Sequence, residues 1–370
     1  MKLLDSIHKV HLEIKSLCRG GGGGDGTPSP ADADEAAFRQ RAVAAYLGLQ
    51  HVTHIADAAI APHPDTLFLL LRMYSLLADL FGFSLAAFLP ILERLRVERG
   101  DSFSARFDAT LLVLRTAIKT TLTVLTARIS ARSTKHAGST AAGVDEITSY
   151  LLEYIKLLLN HSSLLSVILV SDNQPEQGME SLKEVVVSLI SSLDASLQKK
   201  SKLYQQQQQW LFMVNNTHHV LKKAESSESE MRPLLGDGWI QKRREQLDDY
   251  IAWYISVSWE PLLSCLRTND SDEHLGFRIP LCFGRTTTSS SSTSTRMLTR
   301  FNLEFEQTCS VHMPWKLEDA QLRNRMRGAV TGMLVPAYRE FLEKHRRIPP
   351  KFIRFSPEEI KERLSELYEG

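Results

Sequence analysis

The chain has 370 residues, 43% of them hydrophobic and 24% charged, with 44 Lys and Arg against 43 Asp and Glu for a formal net charge of +1. Such a length can fill more than one apolar core, and near-neutrality excludes a protein that coats nucleic acid through bulk charge, so an anionic partner must be met by a local patch. The four cysteines, Cys18, Cys265, Cys282 and Cys309, form no CxxC pair and no regular spacing, which argues for the reducing cytosol over a secreted disulfide framework.

Residues 1–34 combine a short amphipathic helix with a linker. Leu3, Leu4, Ile7, Val10, Leu12, Ile14 and Leu17 share one broad stripe, and the opening MKLLDSIHKVHLEIK lacks the continuous apolar core of a signal peptide. The glycine run from Gly20 to Gly24 has no preceding strand and no following Gly-Lys-Ser/Thr, so it reads as a flexible linker and not a phosphate loop.

Residues 35–129 form a first helical bundle. Ala36 to Ile60 is alanine-rich and is stopped by Pro62 and Pro64, after which Asp65 is positioned to cap the next helix. Leu67, Leu70, Met73, Tyr74, Leu77 and Leu80 keep the helical period, as do Phe103, Phe107, Leu111, Leu114, Ile118, Leu122 and Leu125 over a longer helix. The most apolar stretch, Leu67 to Leu92, is interrupted by Arg72, Asp79 and Pro90 and reads as buried helix, not a membrane span.

After a small-residue linker from Ser130 to Gly143, a middle bundle covers residues 144–267. One face carries Ile147, Leu151, Tyr154, Ile155, Leu158 and Leu165. A polar break at Ser171 to Gly178 precedes a pattern that runs from Leu182 through Tyr204 and the glutamines Gln205 to Gln209 to Leu221. The glutamine tract is helix-compatible and predicts an exposed helical turn. Ser226 to Gly238 predicts a loop, and Trp239 to Leu266 a helix disturbed at Pro261. Residues 268–296, with the Ser/Thr run from Thr286, have the composition of a disordered loop.

Residues 297–370 form the C-terminal bundle. Leu322, Met326, Val330, Met333, Ala337 and Phe341 make one stripe; Glu318 and Asp319 favour the helix start, and Pro336 predicts a kink. Ser356, Pro357 and Glu359 spell a capping box for a last helix buried through Ile360, Leu364, Leu367 and Tyr368. Between Arg323 and Arg354 lie nine Lys and Arg against Glu340 and Glu343, a local charge of +7. Arg339 and Lys344 can pair with Glu340 and Glu343, whereas Arg346, Arg347, Lys351 and Arg354 flank the rigid Pro349-Pro350 pair with few acids in reach. Four such cations suffice for reversible attraction to an anionic leaflet, at about 1 kcal/mol each.

Long amphipathic helices without sustained strand alternation predict an all-α fold, an elongated rod of stacked antiparallel helical bundles. Catalytic patterns are thin. His8 with His11, His51 with His54, and His218 with His219 are the close histidine pairs, and no HExxH or Cys/His cluster completes a zinc site. There is no nucleophile elbow and no kinase signature, so neither enzyme activity nor a cofactor is expected. Trp210, Trp239, Trp253, Trp259 and Trp315 fall mostly within apolar stripes and predict core packing over base stacking. No recognised motif supports nucleic-acid binding.

Several segments in order resemble the Exo-seventy family, the seventy-kilodalton subunit of the exocyst vesicle-tethering complex, and are closest to its plant paralogues. They are GVDEITSYLLEYIKLLLNH at Gly143, WLFMVNNTHHVLKK at Trp210, LLGDGWIQKRREQ at Leu234, YISVSWEPLLSCL at Tyr254, FNLEFEQTC at Phe301, LVPAYREFLEKH and KFIRFSPEEIKERLSELYEG. The resemblance implies a non-enzymatic rod that docks secretory vesicles in exocytosis. Its implied partners are the other exocyst subunits, small GTPases and a phosphoinositide membrane, and its implied place is cytoplasmic and peripheral at the plasma membrane. The family's Lys-aromatic-Ile-basic contact for phosphatidylinositol bisphosphate maps onto Lys351, Phe352, Ile353 and Arg354; Arg346 and Arg347 are added from charge alone. The first 30 residues do not resemble the family's coiled-coil region, which leaves a second reading, a truncated helical scaffold or decoy that binds regulatory or pathogen proteins outside the exocyst.

Overall fold

The apolar stripes of the sequence become helix contacts in the computed structural model, which describes residues 2–20, 39–48, 50, 63–83, 88–94, 100–131, 143–170, 177–226, 230–267 and 290–370. The expected linkers beyond Gly20 and Ala131, the pair His51 and His54, and the stretch from Thr268 to Ser289 lie outside these residues. Among the described residues the fold is all-α, with one isolated antiparallel bridge between Lys316 and Glu369. The chain divides into two compact units, Met1–Ala131 with Leu157–Ser192, and Arg132–Lys156 with Leu193–Gly370.

In the first unit, α1 (Lys2–Gly20), α2 (residues 39–48), α3 (Leu67–Phe83), α4 (Leu89–Arg94) and α5 (Gly100–Ala131) are followed by α7 (Ser162–Leu169). The stripe of α3 is buried as expected, with Leu67, Leu71, Met73, Leu77 and Leu80 at 0% exposure. Although α5 is long and apolar enough to cross a membrane, its Phe107, Leu114, Ile118, Leu122 and Leu125 are buried, and Phe107 stacks on Phe81 at 5.1 Å. Arg115 donates to the Val167 carbonyl (3.0 Å) and Lys119 to that of Val170 (3.4 Å), satisfying acceptors that the end of α7 leaves without helical donors. The cap before α3 is not Asp65. A 3₁₀ turn over Pro64–Thr66 intervenes, and the His63 ring accepts from the Asp65 N–H.

The second unit holds most of α6 (Glu146–Leu159), the end of α8 (Gly178–Ser201), α9 (Gln206–Glu225), α10 (Met231–Leu235), α11 (Asp237–Ser258), α12 (Glu260–Leu266), α13 (Ser290–His312), α14 (Ala320–Lys344) and α15 (Pro357–Ser365). Three details depart from the sequence expectations. The chain breaks at Lys202 to Gln205, so the glutamines open α9 instead of continuing α8. The expected loop at Ser226 contains α10. The end of the Ser/Thr run, Ser290 to Thr295, is the start of α13. Asn216 of α9 seats the start of α6, its carbonyl oxygen accepting from the Asp145 N–H (2.8 Å) and the Thr148 hydroxyl (2.6 Å). Trp259 and Trp315 are core residues as expected, but Trp253 is 47% exposed.

Behind the last helices, Tyr254, Trp259 and Trp315 enclose the His312 ring at centroid distances of 5.9, 5.1 and 4.1 Å. The Tyr254 and Tyr368 hydroxyls meet at 2.9 Å, and the Leu317 N–H donates to the Tyr368 carbonyl, which fastens the chain's last residues to the segment before α14. His312 Nδ1 donates to the Thr308 carbonyl (2.7 Å), leaving Nε2 buried without a partner. Burial therefore lowers the His312 pKa from 6.5 to about 4, against the opposing effect of the Thr308 bond. As pH falls below 6.5 the unfolded chain takes up this proton first, so folding stability is lost down to about pH 4, by on the order of 3 kcal/mol in all. Unfolding midpoints measured at pH 7 and pH 5 should converge in His312→Phe relative to the unsubstituted chain; an identical pH slope in both would assign the acid sensitivity elsewhere.

Candidate membrane-contact site

The basic linker between α14 and α15 is fixed at both ends by local chemistry. Asp319 caps α14 by accepting from the Leu322 N–H (2.8 Å), and the helix runs on through Pro336 to Lys344, with Gly332 at the position four residues earlier where the proline ring crowds the backbone. At the other end the expected capping box is complete. The Ser356 hydroxyl accepts from the Glu359 N–H, and the Glu359 carboxylate accepts from the Ser356 N–H (2.7 Å). Donation to it from the Ser356 N–H, and then from the Ser356 hydroxyl, holds the Glu359 carboxyl below its usual range.

Between these caps the linker is clamped from two sides. From α14, the Tyr338 hydroxyl donates to the Phe355 carbonyl at 2.8 Å; burial first, and the charge of Glu359 second, push the Tyr338 pKa up to about 12, so it stays a donor. From α13, the Asn302 amide donates to the Phe352 carbonyl (3.0 Å), and the Ser294 hydroxyl meets His345 Nδ1 (2.9 Å). A 3₁₀ turn over Pro350–Phe352 closes with the Ile353 N–H on the Pro350 carbonyl (3.0 Å). Beneath it, Phe301 stacks on Tyr338 at 4.9 Å and Phe305 meets Phe355 edge-on at 5.4 Å, while Ile348 is 6% exposed. The linker is packed backbone carrying outward charges.

The +7 of the sequence is largely cancelled in space. Arg323 and Arg327 pair with Glu369 at 3.3 and 2.7 Å, Arg325 pairs with Asp248, and Arg339 reaches Glu358 at 3.4 Å, not Glu340 or Glu343. Arg354, expected to be free, pairs with Glu306 of α13 at 2.8 Å. That acid lies nearly fifty residues away in sequence, beyond the reach of a local charge count. Lys344, Arg346, Arg347 and Lys351 are exposed and have no carboxylate partner among the described residues, and the Lys351 ammonium lies 5.1 Å from the Phe352 ring. Of the four residues singled out by sequence, three thus remain unpaired on the clamped linker. His345, at the C-cap of α14, has its pKa lowered by burial and then by Lys344.

The histidine pairs go elsewhere. His8 and His11 lie on α1, and among the described residues no three His, Cys, Asp or Glu side chains come together as a metal site. His218 belongs to a polar cluster that sequence does not suggest. Asp319 accepts from Lys222 (2.6 Å) and sits 3.2 Å from the His218 ring, beside an open cleft of about 720 Å³. Burial opposes ionisation of Asp319, but the Lys222 and Leu322 bonds outweigh it and hold the pKa at about 2. Burial lowers His218 despite that carboxylate, so the cluster amounts to a Lys–Asp pair that anchors the start of α14 on α9.

Tyr338→Phe should expose the role of the clamp. It leaves the buried Phe355 carbonyl without its donor, at a cost of about 1–3 kcal/mol. Trypsin should then cut after Arg346, Arg347 or Lys351 several-fold faster than in the unsubstituted chain, while an unchanged digestion rate would show the linker to be held by other contacts.

Comparison with known proteins agrees with this architecture. The family model for the C-terminal part of the Exo70 exocyst complex subunit matches residues 33–366. The chain is 27% identical over 234 residues to the exocyst complex component EXO70A1 of Arabidopsis thaliana, covering 61% of this chain and 36% of that protein. It is 28% identical over 242 residues to EXO70E2 of the same plant, covering 61% and 35%. The matched region thus spans just over a third of the length of these relatives. A solved structure of S. cerevisiae Exo70 superposes with a TM-score of 0.61 at 15% identity, over 99% of this chain and 69% of that one, a likeness of fold. The chain belongs to the Exo70 family of exocyst subunits, whose C-terminal region it matches.

Proposed function

We propose that this chain is a peripheral membrane tether of exocytosis, acting with other exocyst subunits to hold secretory vesicles at the cytoplasmic face of the plasma membrane. Its C-terminal linker is the surface that meets anionic phosphoinositide headgroups. The observation that carries this reading is the group Lys344, Arg346, Arg347 and Lys351, exposed and without carboxylate partners among the described residues, on a clamped backbone. Each such cation near an anionic leaflet contributes about 1 kcal/mol, so the group supports reversible, salt-sensitive attachment. Because the linker is already ordered, little conformational entropy is lost on contact. Arg354 contributes less, since Glu306 offsets its charge.

Sedimentation with vesicles containing phosphatidylinositol bisphosphate tests this. Arg347→Glu combined with Lys351→Glu should weaken binding by ~10-fold or more, and Arg354→Glu alone should weaken it less, with unchanged thermal unfolding in each case. Equal binding by the double variant and the unsubstituted chain would remove the linker from the membrane contact.

A further inference from the structure

Charge alone does not distinguish a bilayer from a soluble polyanion, but the linker carries a feature that does. Its apolar side chains at Ile348 and Phe355 are 6% exposed, and Phe352 is half-buried. Ile353 is 38% exposed. This is not the exposure of a frayed end. The Ile353 N–H is bonded to the Pro350 carbonyl, the preceding carbonyl is held by Asn302, and the next residue but one is clamped by Tyr338. The held backbone keeps part of a stiff β-branched side chain at the surface, two residues after Lys351, which has no carboxylate partner among the described residues, and beside Arg354.

Single exposed apolar residues are common on protein surfaces and by themselves mean little. The position of this one is what gives it a role. Interfacial attachment strengthens with both buried apolar area and attraction to anionic lipid, and an exposed apolar side chain on the same short linker as Arg346, Arg347 and Lys351 supplies the two together. We propose that Ile353 inserts into the headgroup and acyl boundary of an anionic bilayer, so that the linker recognises a lipid surface and not a free phosphorylated headgroup. This inference rests on the membrane reading given above.

Three measurements decide it. Ile353→Ser should lose about tenfold in affinity for vesicles of phosphatidylcholine, phosphatidylserine and phosphatidylinositol bisphosphate, with the salt dependence unchanged because no charge is altered. Its affinity for soluble inositol trisphosphate should equal that of the unsubstituted chain. In Ile353→Trp, vesicles should shift the added fluorescence to the blue, and brominated lipid should quench it. Leu112→Ser, which removes a 61% exposed leucine of α5, is the control and should bind vesicles normally. Full vesicle binding by Ile353→Ser alongside a failing Arg347→Glu, Lys351→Glu variant would overturn insertion while leaving the electrostatic contact standing. Normal binding by all of these variants would overturn both readings. Equal losses for Ile353→Ser and Leu112→Ser, or a parallel loss of inositol trisphosphate binding, would show the effect to be unspecific or structural and would also overturn insertion.

Discussion

The hydrogen bond from the buried Tyr338 hydroxyl to the Phe355 carbonyl is the constraint on which the C-terminal surface depends. Ordering each backbone residue costs roughly 1–2 kcal/mol, so a loop of about a dozen residues stays in one shape only where several contacts act on it together. Here Tyr338 holds one end, Asn302 the 3₁₀ turn and Ser294 the His345 end, while the Phe301, Phe305 and Phe355 rings fill the space beneath. Because the hydroxyl's pKa lies far above physiological pH, the clamp does not titrate.

With the backbone fixed, pairing geometry selects which cations remain available. Surface ion pairs contribute little to stability, about 0–1 kcal/mol, yet each one cancels a charge that would otherwise act on a partner. Glu306, Glu358, Glu369 and Asp248 each take one or two arginines, and among the described residues the cations of 323–354 left without a carboxylate lie between Lys344 and Lys351 instead of along α14. A partner meets a charged edge whose shape is already set, which favours fast and reversible attachment.

Much of the helical core is legible in the sequence because burial and helical period are the same signal. The stripes of α3 and α5, the first half of that of α14 and the capping box at Ser356 involve residues close enough in the chain for spacing alone to place them, but beyond Val330 the buried face of α14 passes to Leu334 and Tyr338 while Met333 and Ala337 are only half-buried. What spacing does not reveal is partnership across the fold. The Arg354–Glu306 pair, the Lys222–Asp319 pair and the His63 cap each depend on side chains brought together by packing or by an unusual local turn. The glutamine tract reads as continuous helix because glutamine suits a helix interior, but propensity carries no mark of where one helix stops and the next begins. Trp253 misleads for the opposite reason. It follows the period of α11 closely enough to pass for core, yet it sits on the outer flank of the stripe, beside Trp210 at 4.9 Å.

Pairing within the fold, and not the number of basic residues in the sequence, sets the charge that the linker presents. Glu306→Gln tests it most directly, because the substitution leaves every cation in place and frees only Arg354. Glu306→Gln should bind anionic vesicles more tightly, with a steeper dependence on salt, than the unsubstituted chain. Unchanged affinity and salt dependence would contradict it.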